Sequence, residues 1–349
     1  MRVHFLSKYK CIRIHIELTI QACESALFVC QGATMKLVAL LFSLSMFVVH
    51  TSYANTPKVQ VSKGHIEVID NIESQFVKNR FLNVWLPPGY NKNTTYDVLY
   101  MHDGRMLFDA NSTWNKQEWR VDEVAGSLIE QGKVRPFIVV GIPNAVENRH
   151  SEYYPQQPFE ALSKQKQNAL YQLEKYPGHN LFASKVYSDN YSRFLVKDVI
   201  PHIESNYNVN KGTQHRYIGG SSMGGLISWY TLLNYPNEFA GAISMSTHWP
   251  GIFSHDDEVF AEFKNYIANN IAKLSNQKVY FDYGDSTLDA MYPKLQAQID
   301  DLFMAHKYPA KLWQSQYFPG EDHTENAWAK RLHIPLEFMF RKTKQAEAE

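Results

Sequence analysis

The chain has 349 residues, 35 Lys+Arg against 35 Asp+Glu, 44% hydrophobic residues and three cysteines. This balance argues against a basic nucleic-acid-binding domain and against an acidic disordered chain, and the length suits one large α/β domain or two small ones. Cys11, Cys23 and Cys30 all precede Met35, so the chain beyond has no thiol nucleophile, disulfide framework or cysteine metal site.

In chain order, the first signal is at residues 35–54. Met35-Lys36 opens a short positive region, residues 37–49 form an apolar run, and Ser52-Tyr53-Ala54 supplies a small-x-small cleavage site. Together these describe a secretory signal, and the run falls short of the ~20 apolar residues of a membrane span. Residues 1–34 then read as an upstream extension and residues 55–349 as a single domain. That domain is expected in the periplasm or outside the cell, with no membrane contact after cleavage. Residues 1–54 hold five Lys/Arg and two Asp/Glu, which leaves 30 basic and 33 acidic residues beyond them, a net of −3. Nucleic acid is therefore not an expected partner.

Strand-like runs occur at 81–86, 98–102, 137–141, 215–218, 241–245, 279–283 and 312–318. Helix-period stretches alternate with them at 121–131, 191–205, 225–233, 257–274, 292–305 and 325–342. Strand alternating with helix predicts a doubly wound, mostly parallel sheet with helices on both faces. The early strands, from about residue 59 to 86, predict an antiparallel edge. Residues 144–188 are polar and aromatic with weak periodicity, and predict an insertion over the carboxyl ends of the strands, where substrates bind.

The chemistry centres on Gly219-Gly220-Ser221-Ser222-Met223-Gly224-Gly225, a G-x-S-x-G pattern between a strand and a helix. The glycines allow a sharp turn that lifts the Ser222 hydroxyl above the sheet, and the helix N-terminus points N–H groups to the same place. A serine needs a base. His323, in the loop after the last strand, is the candidate, and His102 is its competitor. The base needs a carboxylate, expected in the loop after 279–283, where Asp289 is favoured and Asp285 is the alternative. The order Ser222, Asp289, His323 suits this architecture. Oxyanion donors are expected from the N–H groups of Met223 and of Arg105, the latter after Asp103-Gly104. Trp114, Trp119, His248 and Trp249 follow strands near the expected site. Trp119, His248 and Trp249 are expected as substrate contacts or, equally, as packing residues. No metal site, phosphate loop or cofactor is expected.

The pieces Tyr100-Met101-His102-Asp103-Gly104, Gly219 to Gly225 and Phe318-Pro319-Gly320-Glu321-Asp322-His323, with Trp328 downstream, resemble the esterase D-like family of α/β hydrolases. The resemblance runs from Arg80 to Phe340 and implies the α/β-hydrolase fold. It also implies Ser222 as nucleophile, His323 as base, an acid in the 284–289 loop and Arg105 as the second oxyanion donor. Many relatives have Gln-Asn where this chain has Arg105-Met106, which leaves the backbone role intact and changes any side-chain contact. The family includes feruloyl and acetylxylan esterases, siderophore-ester hydrolases and acyltransferases. The expected activity is hydrolysis of a small-molecule or glycan ester, first a carbohydrate-linked acetyl or feruloyl ester. The alternatives are a siderophore ester, an acyl transfer with the same residues, or a binding protein that kept the fold.

Overall fold

A computed structural model describes residues 59–342. The expected signal at 35–54 and the extension before it lie outside the described residues. Eight strands form one sheet in the order β1-β2-β4-β3-β7-β8-β9-β10. They are β1 (His65–Ile72), β2 (Arg80–Leu86), β3 (Asp97–His102), β4 (Phe137–Ile142), β7 (Arg216–Ser221), β8 (Gly241–Met245), β9 (Lys278–Tyr283) and β10 (Trp313–Tyr317). The strands β1, β2 and β4 pair antiparallel, and every pairing from β4 across to β10 is parallel. The expected antiparallel edge is present, although β1 starts only at His65.

Residue alternation explains why β3 and β4 sit in the middle. Val98 and Tyr100 join one apolar cluster while Leu99 and Met101 join another, and Ile138 and Val140 oppose Phe137 and Val139 in the same way. Both faces of these strands are buried, so they read as unbroken apolar runs. The helices covering the faces are α1 (Val121–Glu130), α2 (Arg149–Tyr153), α3 (Gln156–Ala161), α4 (Lys164–Tyr171), α5 (Ser188–Phe194) and α6 (Ile200–Asn206). They continue with α7 (Met223–Asn234), α8 (Asp257–Asn270), α9 (Pro293–Ala305), α10 (Glu325–Arg331) and α11 (His333–Phe340). The single helix expected over 325–342 is two, because Pro335 has no N–H to give the Arg331 carbonyl. The stretch expected as one helix over 191–205 contains a wider turn at Leu195–Val199 between α5 and α6. Residues 144–188, of weak periodicity, fold as α2, α3, α4 and a small hairpin, β5 (Glu174–Tyr176) with β6 (His179–Asn180). Among the described residues no helix is long and apolar enough to cross a membrane.

Candidate active site

Strand β7 carries the chain directly into α7, and Ser222 stands at the junction with φ 57° and ψ −125°. A non-glycine residue in that conformation is strained and persists only where its surroundings hold it. Here the Ser222 N–H donates to the Met245 carbonyl at 3.0 Å, and its own carbonyl accepts from Leu226 N–H at 3.0 Å and His248 N–H at 3.2 Å. The turn is tight enough that a Cβ on Gly220 would lie 3.0 Å from the Gly224 backbone. Glycine is required there by close approach, not by φ. The Met223 N–H opens α7 and, among the described residues, donates to no protein acceptor. Such a free N–H at a helix start suits developing negative charge.

The loop after β9 turns through Thr287 (φ 54°) into a short 3-10 turn, Thr287–Met291, which buries Asp289 completely. One carboxylate oxygen of Asp289 meets His323 Nδ1 at 2.5 Å. The other accepts from Gly284 N–H at 2.7 Å and from the Ser246 hydroxyl at 2.6 Å. His323 lies between β10 and α10, its N–H donating to Thr287 Oγ1 at 3.0 Å and its ring edge-on to Trp328. Asp285, four residues before Asp289, is turned elsewhere. It accepts from the Tyr317 hydroxyl and from Gly320 N–H at 2.7 Å, bonds that hold its carboxyl below the usual range. No hydrogen bond joins Ser222 Oγ to His323.

Ser222 and Met223 line a pocket of about 80 Å³ together with His248, His150, Arg149 and Leu288, the neighbour of Asp289. Arg149, His150, Lys175 and Leu181 bring the 144–188 insertion over the strand ends, as its position in the sequence implied. Larger hollows lie elsewhere, one between α1 and α10 and one beside Lys278 and Arg341, but neither includes Ser222. His248 Nδ1 pairs with the Tyr292 hydroxyl at 2.8 Å, and its buried Nε2 has no protein partner. Burial, with His150, His323 and Arg149 nearby, pushes its pKa well below the ordinary histidine value, so the ring is neutral. His102 is also buried, its Nδ1 pairing with Tyr191 and its pKa pushed down to about 3 by burial.

Two of the other aromatic candidates lie in packing positions. Trp119 is 2% exposed and rests on Trp328 with ring centroids 5.3 Å apart. Trp249 is fully buried, its Nε1 donating to Gln296 at 2.7 Å. Trp114 is exposed and does not line the pocket. After β3 the chain turns at Asp103 (φ 55°) into Gly104, whose N–H donates to the Ile142 carbonyl at 2.9 Å. The Arg105 N–H follows, with no protein acceptor among the described residues, while its guanidinium lies over Phe81 at 4.5 Å.

A buried network behind Asp289 carries no signal in the sequence. Ser246 (φ 42°) donates to Asp289 and accepts from Trp328 Nε1 and from an Arg331 nitrogen, each at 2.9 Å. The same Arg331 nitrogen also reaches Asp282 at 3.1 Å.

A family model described as "Putative esterase" matches residues 74–335. The uncharacterized protein YbbA of Bacillus subtilis (strain 168) is 30% identical over 174 residues, 49% of this chain and 58% of that protein. An endo-1,4-beta-xylanase/feruloyl esterase of Xylanibacter ruminicola is 25% identical over 54% of this chain and 23% of its own length. The chain thus spans well under two thirds of the curated relatives it matches. Among solved structures, a ferulic acid esterase superposes with TM-score 0.54 at 20% identity, covering 79% of this chain and 98% of that one. The enterobactin esterase from Shigella flexneri superposes with TM-score 0.56 at 14% identity, covering 81% and 61%. These structures share the α/β-hydrolase fold. With 262 of its 349 residues (74–335) inside the family model, this chain belongs to that esterase family.

Proposed function

We propose that the protein is a serine carboxylic ester hydrolase with Ser222 as nucleophile, His323 as general base and Asp289 as the carboxylate that orients it. The observation that carries this reading is Ser222 held at φ 57° on the N-terminus of α7, in one pocket with Leu288 of the turn that bears Asp289, whose carboxylate meets His323 Nδ1. Ser222 Oγ attacks the ester carbonyl and gives its proton to His323 Nε2. The developing oxyanion is held by the N–H groups of Met223 and Arg105. The C–O bond to the alcohol breaks and the alcohol leaves with the proton from His323. Water then repeats the path through His323 and releases the acid. Asp289 keeps Nδ1 protonated so that Nε2 is the basic nitrogen.

The substrate we propose is a carbohydrate-linked ester. Similarity to the xylanase/feruloyl esterase supports a carbohydrate context, and the enterobactin esterase likeness keeps a siderophore ester as the alternative. Export through residues 35–54 accompanies this reading, and the mass of the exported chain tests it. The test of activity is hydrolysis of p-nitrophenyl acetate and a feruloyl ester by wild type beside Ser222→Ala. Loss of both activities in the variant supports the mechanism. Equal rates in the two proteins overturn it.

A further inference from the structure

We infer that Arg149 and Asp103 form a positioning clamp that sets the second oxyanion donor against the first. The inference rests on the serine esterase reading. Asp103 occupies left-handed backbone, which an aspartate adopts only where the surroundings favour it. Its carboxylate is the part most firmly held. Arg149 Nε reaches one oxygen and Arg149 Nη2 the other, each at 2.7 Å, and Asn144 Nδ2 reaches the first at 2.6 Å. This is a two-pronged guanidinium–carboxylate contact, which fixes direction as well as distance. The backbone follows. The Asp103 N–H donates to the Tyr153 hydroxyl at 3.4 Å, and its carbonyl accepts from Met106 N–H at 2.8 Å.

The same carboxylate lies against the nucleophile helix, since a Cβ on Gly224 would be 3.1 Å from Asp103 Oδ2. One side chain therefore touches α7, which carries the Met223 N–H. It also belongs to the loop that carries the Arg105 N–H, and it grips α2 of the insertion. Behind it, a Cβ on Gly104 would come within 2.4 Å of the Gly141 backbone, so the loop has no room to relax inward. Arg149 lines the pocket, but the two nitrogens used by Asp103 are committed. Its role is to hold the loop, and the insertion thereby becomes part of the catalytic frame. Asp103 is held below the usual carboxylate range by Arg149 and Asn144, consistent with an ion pair.

The test uses Arg149→Gln, Arg149→Lys, Asp103→Asn and their double variant Arg149→Gln/Asp103→Asn, with Ser222→Ala as reference. Steady-state kinetics on p-nitrophenyl acetate and thermal unfolding are measured for each. The clamp predicts kcat lower by about 10- to 100-fold for Arg149→Gln and Asp103→Asn with KM within about threefold. That is less than losing a donor outright, and comparable to displacing one by an ångström. The double variant should be no slower than the worse single variant, since both break one contact. Arg149→Lys, which keeps the charge and loses the fork, should recover only part of the rate. Should Asp103→Asn fail to fold, Asn144→Ala removes one of the three bonds and should lower kcat by a smaller factor with KM kept. Unchanged kcat in these variants, or a raised KM with kcat intact, overturns the clamp while Ser222→Ala stays inactive. If Ser222→Ala itself remains active, the serine mechanism is what fails.

Discussion

Removing the Ser246 hydroxyl tests how the Asp289 carboxylate is held. Ser246 is fully buried and its oxygen serves three partners: it donates to Asp289 and accepts from Trp328 Nε1 and Arg331. In Ser246→Ala the bond to the charged carboxylate is lost, at about 1.5–3 kcal/mol. The Trp328 N–H is left buried without an acceptor, at about 1–3 kcal/mol. Arg331 keeps Asp282, so its share is small. The sum is about 2.5–6 kcal/mol, a large part of the ~5–15 kcal/mol that separates folded from unfolded protein. At ~2–4 °C per kcal/mol for large domains, the melting temperature should fall by roughly 5–24 °C. Asp289 retains the Gly284 N–H and His323, so kcat should fall only about tenfold, far less than in Asp289→Asn, where about 10⁴ is expected from the wrong imidazole tautomer. Calorimetry and p-nitrophenyl acetate kinetics on the same preparations decide the matter. A melting temperature within 2 °C of wild type together with kcat within twofold (both thresholds approximate) would refute the reasoning. So would inactivity equal to that of Asp289→Asn, since the hydroxyl would then be part of the chemistry.

Gly104→Ala should be among the most damaging single methyl additions, because the new Cβ meets the Gly141 carbonyl carbon at 2.4 Å and backbone cannot swing aside. Expression with normal melting and rate would disprove that crowding. Glu118 has its carboxyl pushed up to about 7 by burial and by Glu123, Asp122 and Asp109. The folded state therefore holds a proton that the unfolded chain gives up near the ordinary value. Stability from this group is present at low pH and is lost as pH rises from about 4.5 to about 7. Glu118→Gln should flatten that slope and raise the melting temperature at pH 8, and an unchanged pH profile would count against it. His102 and His150 behave oppositely, each pushed down to about 3 chiefly by burial. The unfolded chain takes up protons that the folded state refuses, so stability falls as pH drops below about 6.5 toward 3, by ~1.4 kcal/mol per pH unit for each histidine. Acid titration of His102→Gln should show a shallower loss than wild type, and a parallel curve would rule His102 out as a contributor.

Much of the frame is readable from the chain because its causes are local. Unbroken apolar runs make β3 and β4 central strands whatever surrounds them. Closely spaced glycines permit the turn at Ser222, and a polar loop after the last strand carries His323. Other features depend on partners far away in sequence. Asp285 and Asp289 share one loop and one residue type, yet Tyr317 claims the first and His323 the second. Trp119 and Trp249 follow strands as a substrate-binding residue would, but Trp328 and Gln296 draw them into the core. Ser246, Arg331 and Arg149 have no local pattern at all. Their roles come from where three strand ends, the last helices and the insertion converge. Local sequence determines turns and periodicity, since these involve neighbours in the chain. Which carboxylate faces the histidine, and which arginine grips the loop, is decided only when packing selects each side chain's partner from across the fold.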